Sequence, residues 1–303
     1  MESFRDLSRL KKDGLDLVWF QYSNLPDLFF IPHIRSLGLP LLVTPHLGRA
    51  SRTQRYGLFR AFSKKILEQA DGFAMLYPDH DREVALPEKI PQRAIRTFLP
   101  GSILETDLPQ PTHGQVLRLM HASRLSEQKG SFRFLDLCAE LKRREIPFSA
   151  RLVGRGDSGV LRRLNRQIEN DALEDCVTFE GWQSEDAIAS LLRESDVLVH
   201  LSTLDTFPLI VLEALASGVV PIVYDIPGVV SMLSGKTGKI LRATDPVTRA
   251  ADWLEEQSPV ALRTAGLKSA QAVRRDYAWE TCVRILSSQF DATLATAAMH
   301  RPA

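Results

Sequence analysis

The chain is poor in the features that mark several large protein classes. Of its 303 residues only three are cysteine, Cys138, Cys176 and Cys282, and none forms a CxxC pair or has histidine at metal-site spacing. A disulfide-stapled fold and a cysteine-based metal centre are thereby excluded, and small buried thiols in a reducing compartment are expected. Net charge is close to absent, with 38 basic against 37 acidic side chains, so bulk charge gives no reason to expect a nucleic-acid partner. No apolar run reaches the ~18 residues of a membrane span. The opening MESFRDLSRLKKDG reads as a charged helix, not a signal peptide, which points to a cytoplasmic protein. Internal repeats and low-complexity segments are also lacking.

What is present is an alternation of short apolar runs and amphipathic stretches. Runs at 15–20, 39–44, 72–76, 95–99, 116–121, 148–153, 177–179, 196–201 and 219–224 are bounded by turn residues. Helical patterns at 52–69, 131–144, 159–170, 184–194 and 208–217 lie between them. This rhythm is that of parallel sheets covered by helices, an α/β fold. The Pro- and Gly-rich segment LPGSILETDLPQPTHG, 99–114, interrupts it and is the best linker. The expected organisation is a first domain over 1–112, a second of about six strands over 113–278, and a helix with the loose tail AMHRPA over 279–303.

The second domain carries three informative pieces. In the first, a strand ends near His121 and a helix begins near Gly130, placing Arg124 and Lys129 in the loop at the carboxyl edge of the sheet. Open α/β sheets bind ligands there, and two cations beside a helix amino terminus suit a diphosphate; two solvated surface cations are the plain alternative. In the second, a strand at 196–201 runs into a helix starting between Thr206 and Pro208 and stopping at Gly218. Its amino terminus offers N–H groups at Phe207 and Leu209. Glu213, one turn in among Val211, Leu212 and Leu215, needs a partner or a wet cleft, unless it simply faces solvent. Asp205 is either a ligand contact or a helix cap. The third piece, GRGDSG from Gly154 to Gly159, matches G-x-G-x-x-G. It follows the domain's second strand, not its first, so dinucleotide binding does not follow from it.

Together these pieces resemble the donor domain of glycosyltransferase family 4, which has the GT-B fold of two Rossmann-like domains. ASRLSEQKG is similar to the family's G-R-L-x-x-x-K-G, ARLVGRGD to its L-V-G-x-G, and DTFPLIVLEALASGVVPIV to its E-x7-E segment; VTFEGW, SDVLVHLS and DIPGVVSMLSGKTGKIL keep the order. The resemblance implies that Arg124 and Lys129 grip the diphosphate of a nucleotide sugar and that Glu213 binds the ribose. Asp205 stands at the sugar-contacting acid, and Thr206, Phe207 and Leu209 supply N–H groups. The base then lies by Gly154, Gly156 and Trp182. Two departures stand out: Asp205 is one methylene shorter than the family's Glu, and Ser123 replaces a Gly. In the first domain LDLVWFQYS, GLPLLVTPHLG, ADGFAMLYPDHDREV and IRTFLPGSI resemble the later part of the family's amino-terminal domain. His46 thereby falls on the histidine that approaches the donor sugar, and the domain reads as shortened.

The activity so implied is retaining transfer from a nucleoside-diphosphate sugar to a glycan, lipid-linked or other acceptor. It needs no metal and no cofactor beyond the nucleotide sugar as co-substrate. A shortened first domain keeps a second reading open, a non-catalytic subunit that binds a partner glycosyltransferase or forms a homo-oligomer. Finally, Arg49, Arg52, Arg55, Arg60, Lys64 and Lys65 crowd a stretch with interleaved Leu58, Phe59, Phe62, Ile66 and Leu67. Residues 49–65 suit a peripheral contact with anionic lipid at the inner face of a membrane. The alternative is a solvated helix whose apolar side packs on the sheet.

Overall fold

The computed structural model describes residues 2–48, 51–109, 114–242 and 244–299, with side chains except at 2–5, 52 and 53. Two compact units emerge: Met1–Thr97 with Trp279–Ala303, and Phe98–Ala278. The sequence-based boundary at 112/113 and residues 300–303 of the expected tail lie outside the described residues; Ala298 and Met299, expected to be loose, continue the helix Trp279–Met299. Among the described residues no helix is long and apolar enough to cross a membrane.

The first unit holds a parallel sheet of β1 (Val18–Tyr22), β2 (Leu41–Pro45), β3 (Gly72–Met75) and β4 (Gln92–Ala94), in the order β1-β2-β3-β4. β2 and β3 are buried along their whole length, the mark of inner parallel strands covered on both faces. Leu28, Ile31, Ile34, Leu67 and Phe73 form the core. The helix Trp279–Met299 belongs to this unit: a Cβ on Gly72 would stand 2.7 Å from Thr293 Oγ1, so that glycine lets the helix lie against β3. Two expectations need correction. The strand expected at 95–99 is replaced by β4, the three residues before it; Ile95 extends the pairing by one bond, its N–H donating to Met75 O at 2.8 Å, and Leu99 is buried without being part of a strand. The helix expected over 52–69 is two, Arg52–Arg55 and Gly57–Leu67, broken at the extended Tyr56.

The second unit is a six-stranded parallel sheet of β5 (Leu117–Ala122), β6 (Phe148–Val153), β7 (Val177–Gly181), β8 (Val197–His200), β9 (Val220–Tyr224) and β10 (Lys239–Leu241). Its order, β7-β6-β5-β8-β9-β10, is the Rossmann order, with the chain reversing direction across the sheet between β5 and β8. Side chains alternate between two cores. Leu117, Leu119, Val197 and Val199 join Phe134, Leu137 and Leu164 on one face. Met120, Ala122 and Leu198 join Val211, Leu215 and Val273 on the other. Burial on both faces makes the inner strands near-continuous apolar runs, while the edge strand β7 is buried only at Val177.

Candidate functional site

The site grows from the point where the strand order reverses. β5 ends at Ala122 and β8 at His200, so the loops 123–130 and 201–208 leave the same edge side by side. Hydrogen bonds zip them together: Thr203 N donates to Gln128 O (2.9 Å) and Ser202 Oγ to the same oxygen (3.3 Å), and Arg133 of the following helix donates to Leu201 O (3.2 Å). The approach is so close that Gly130, at φ +84°, could carry no side chain; a Cβ would sit 2.4 Å from Leu201 O. The loop after β6 backs onto the loop after β5 in the same way. Gly154 has φ +139°, and a Cβ there would fall 1.8 Å from Ser123 O. The first glycine of GRGDSG is thus explained by packing of neighbouring loops.

Beneath these loops His121 is fully buried and stacked on Phe134. With Val199 O as acceptor at 2.9 Å, the ring proton sits on Nδ1, leaving Nε2 to accept from Ser123 Oγ (2.9 Å) and Ser131 Oγ (3.1 Å). Burial pushes its pKa down to about 4, so the ring is neutral and holds both hydroxyls. Sequence reading missed this support. Its signal was a histidine at the buried face of β5, two residues beyond Leu119 and one before the strand ends.

Above lies a cavity of about 520 Å³ whose lining includes Ser123, Arg124, Gly154, Trp182 and Glu213. Four residues singled out from sequence, Arg124, Gly154, Trp182 and Glu213, therefore share one pocket. Trp182 is 60% exposed, with the Arg155 guanidinium 4.5 Å from its ring centre. The Glu213 carboxylate makes no hydrogen bond or ion pair among the described residues. Burial, then the charge of Glu185, raises its carboxyl to about 7. It projects from the helix Leu209–Ala216, whose other side is core.

Lys129 and Asp205 do not line this cavity; they hold each other. Lys129 Nζ lies 2.6 Å from Asp205 Oδ2 and 3.3 Å from Leu204 O, and His200 Nε2 reaches the same carboxylate oxygen at 3.1 Å. Burial raises the Asp205 pKa, but bonds from His200 and Lys129 outweigh it and leave the carboxyl below its ordinary value. Asp205 is therefore not the helix cap, a position Pro208 occupies without a side-chain bond. His200 Nδ1 is buried and has no partner among the described residues. Thr206, Phe207 and Leu209 lead into the helix beside this pair, and Gly156 packs under Leu125 O, none of them lining the cavity. His46 lies in the first unit, at the end of β2. Its backbone N–H donates to Tyr22 O (2.7 Å), its Nε2 meets Gln21 Oε1 at 2.6 Å, and burial lowers its pKa.

Comparison with known proteins agrees with this geometry. The family described as glycosyl transferases group 1 matches residues 110–263, half of the chain. A putative colanic acid biosynthesis glycosyltransferase, WcaL of Salmonella typhimurium, is 27% identical over 204 residues, 62% of this chain and 49% of that protein. The chain thus spans about half the length of that curated relative. A GDP-mannose:cellobiosyl-diphosphopolyprenol alpha-mannosyltransferase of Xanthomonas campestris is 23% identical over 72% of this chain and 58% of its own. Among solved structures, Anabaena Alr3699/HepE in complex with UDP and glucose superposes with a TM-score of 0.72 at 16% identity, covering 94% of this chain and 80% of that one. The fold is the GT-B type, two Rossmann-like units.

Proposed function

The chain belongs to the glycosyl transferases group 1 family, and from that premise we propose that it moves a sugar, with retention of configuration, from a nucleoside-diphosphate sugar to a glycan or lipid-linked acceptor in polysaccharide or glycoconjugate synthesis. One observation carries the reading: an unpaired carboxylate, Glu213, and an exposed guanidinium, Arg124, share a pocket at the point where the strand order reverses. Glu213 accepts hydrogen bonds from the ribose hydroxyls. Trp182, Gly154 and Gly156 border the base. Arg124 and Lys129, with the N–H groups of Thr206, Phe207 and Leu209, face the diphosphate. Fixed cations and amides aimed at the charge that develops on the leaving group lower the barrier without a metal. In the step itself the anomeric C–O bond to the diphosphate breaks and the bond to the acceptor oxygen forms on the same face. The acceptor's proton passes to the departing phosphate oxygen, and the nucleoside diphosphate leaves. Asp205 is assigned to the sugar end of this site, where it acts by holding Lys129.

The test is a calorimetric and thermal-shift titration of the whole chain with UDP, GDP, ADP and their sugars, beside Lys129→Ala and Glu213→Ala. A nucleotide at a hundred times its Kd should stabilise the protein by about 2.7 kcal/mol. One nucleotide class bound by the wild type and lost in both variants supports the reading. Folded protein that binds none of them overturns it.

A further inference from the structure

The helix Gly57–Leu67 is turned inside out. Side chains at i, i+3, i+4 and i+7 share one face of a helix, and Leu58, Ala61, Phe62 and Lys65 are all exposed. Leu58 is 88% and Phe62 45% open to solvent, with Tyr56 (52%) and Phe59 (44%) alongside. The buried positions are Ser63 and Leu67. Ser63 uses its hydroxyl on Phe59 O at 2.7 Å and lies 3.5 Å from the Tyr22 hydroxyl. A helix that only shields the sheet would turn Leu58 and Phe62 inward and Ser63 outward. The sequence-based alternative, in which the apolar side packs on the sheet, holds for Ile66 and Leu67, which join the core, and fails for Leu58, Phe59 and Phe62.

The flanks of the apolar stripe are basic. Arg55, Arg60 and Lys65 are exposed and Lys64 half-buried, and residues 51–67 contain no acid. The acids that approach are Glu68, 2.8 Å from Lys65, and Glu88, 4.0 Å from Lys64; Arg55 lies over the Tyr56 ring. Arg49, and the side chain of Arg52, lie outside the described residues. A surface that is apolar along one line and cationic beside it fits a partner that is apolar within and anionic at its face. An anionic bilayer has that composition, and the helix, about 16 Å long at 1.5 Å per residue, can lie along the headgroup boundary with its apolar side inserted.

We propose that Tyr56–Lys65 is a peripheral membrane anchor that seats the first unit on anionic lipid. In bringing the chain to a lipid-borne acceptor it rests on the transferase reading; as a surface it stands alone. The experiment is co-sedimentation of the full chain with vesicles of phosphatidylcholine, and of phosphatidylcholine with phosphatidylglycerol, at low and high salt. The wild type should partition onto the phosphatidylglycerol vesicles and release them at high salt. Leu58→Ser with Phe62→Ser should lose more than about tenfold in partition. Arg60→Gln with Lys64→Gln and Lys65→Gln should lose about a hundredfold, about fivefold for each cation. All these side chains lie at the surface, so the thermal transition and nucleotide binding of both variants should match the wild type. A wild type that stays in solution with both vesicles overturns the anchor while leaving the nucleotide result standing. So do variants that alter only the sedimenting mass of the free protein, which would make the face a protein interface.

Discussion

Asp205 and Glu213 belong to one motif, seven residues between them, and the fold treats them oppositely. Asp205 is held by Lys129 at 2.6 Å and His200 at 3.1 Å, and its carboxyl lies below the ordinary range. Glu213 has no such partner among the described residues and is pushed up to about 7. An acid already neutralised by the protein is part of the framework; an acid left half-buried and without a protein partner is free to take a ligand's donors. The shortened Asp205 gains meaning from this contrast. It stays close to Lys129 and fixes where that cation stands.

The sharpest way to break the comparison is to remove each acid and measure stability by urea unfolding at pH 8. Asp205→Ala strands a lysine and a buried histidine, and should cost about 2 kcal/mol after discounting for partial exposure. Glu213→Gln should move stability the other way. Its carboxyl is disfavoured in ionised form by the folded state, an expense a neutral amide does not carry. Equal losses in the two variants would mean that Glu213 has a structural partner and that the two acids do not differ in kind.

How much of this was legible in the sequence follows from what each feature depends on. The inner strands of the second unit could be read because burial on both faces writes them as apolar runs. β10 could not be read, because it is three residues, Lys239–Leu241, at a sheet edge where burial on one side suffices. β4, also an edge strand, reads Gln-Arg-Ala and carries no apolar signal. Arg124, Gly154, Trp182 and Glu213 share a cavity because topology alone brings the loops after β5, β6 and β7 and the helix after β8 to one edge, whereas Lys129, Gly156, Asp205, Thr206, Phe207 and Leu209 do not line it. The Lys129–Asp205 bond spans 76 positions and depends on the loops meeting, which no local pattern records. Periodicity likewise marked the apolar stripe on Gly57–Leu67 but could not say which way it faces.

A second, smaller effect separates the two acids by pH. The raised Glu213 carboxyl keeps its proton in the folded protein from 4.5 up to about 7. Its contribution to stability is complete below 4.5 and is lost as pH rises through 7. Ribose hydroxyls donate best to the ionised form, so binding a nucleotide sugar should release a proton. Affinity should rise about tenfold from pH 6 to pH 8, the ratio of ionised fractions for a group near 7. A nucleotide sugar is the right probe because its diphosphate carries no terminal group that titrates there. Proton release read by calorimetry in two buffers should vanish in Glu213→Gln. Asp205, ionised throughout this window, should add nothing. A pH dependence that persists in Glu213→Gln would assign it elsewhere.

Trp182 falls between these two extremes, and the smallest effect is expected there. Like Glu213 it opens onto the pocket; like Asp205 it already has a cation beside it, Arg155 at 4.5 Å from the ring centre. Stacking of a base on an aromatic ring contributes about 1–3 kcal/mol. A base that takes the face now covered by Arg155 must first displace a contact of about 0.5–1 kcal/mol. The surplus is near 1 kcal/mol, so Trp182→Ala should weaken nucleotide binding about fivefold, against a far larger loss for Glu213→Ala. Trp182→Phe, which keeps a ring, should recover most of it. Arg155→Ala distinguishes the geometry. If the base displaces the guanidinium, removing it tightens binding; if the base stacks on the other face, removing it weakens binding. A Trp182→Ala variant that binds every nucleotide as the wild type does would move the base off this ring and leave Glu213 and the cations to hold the donor alone.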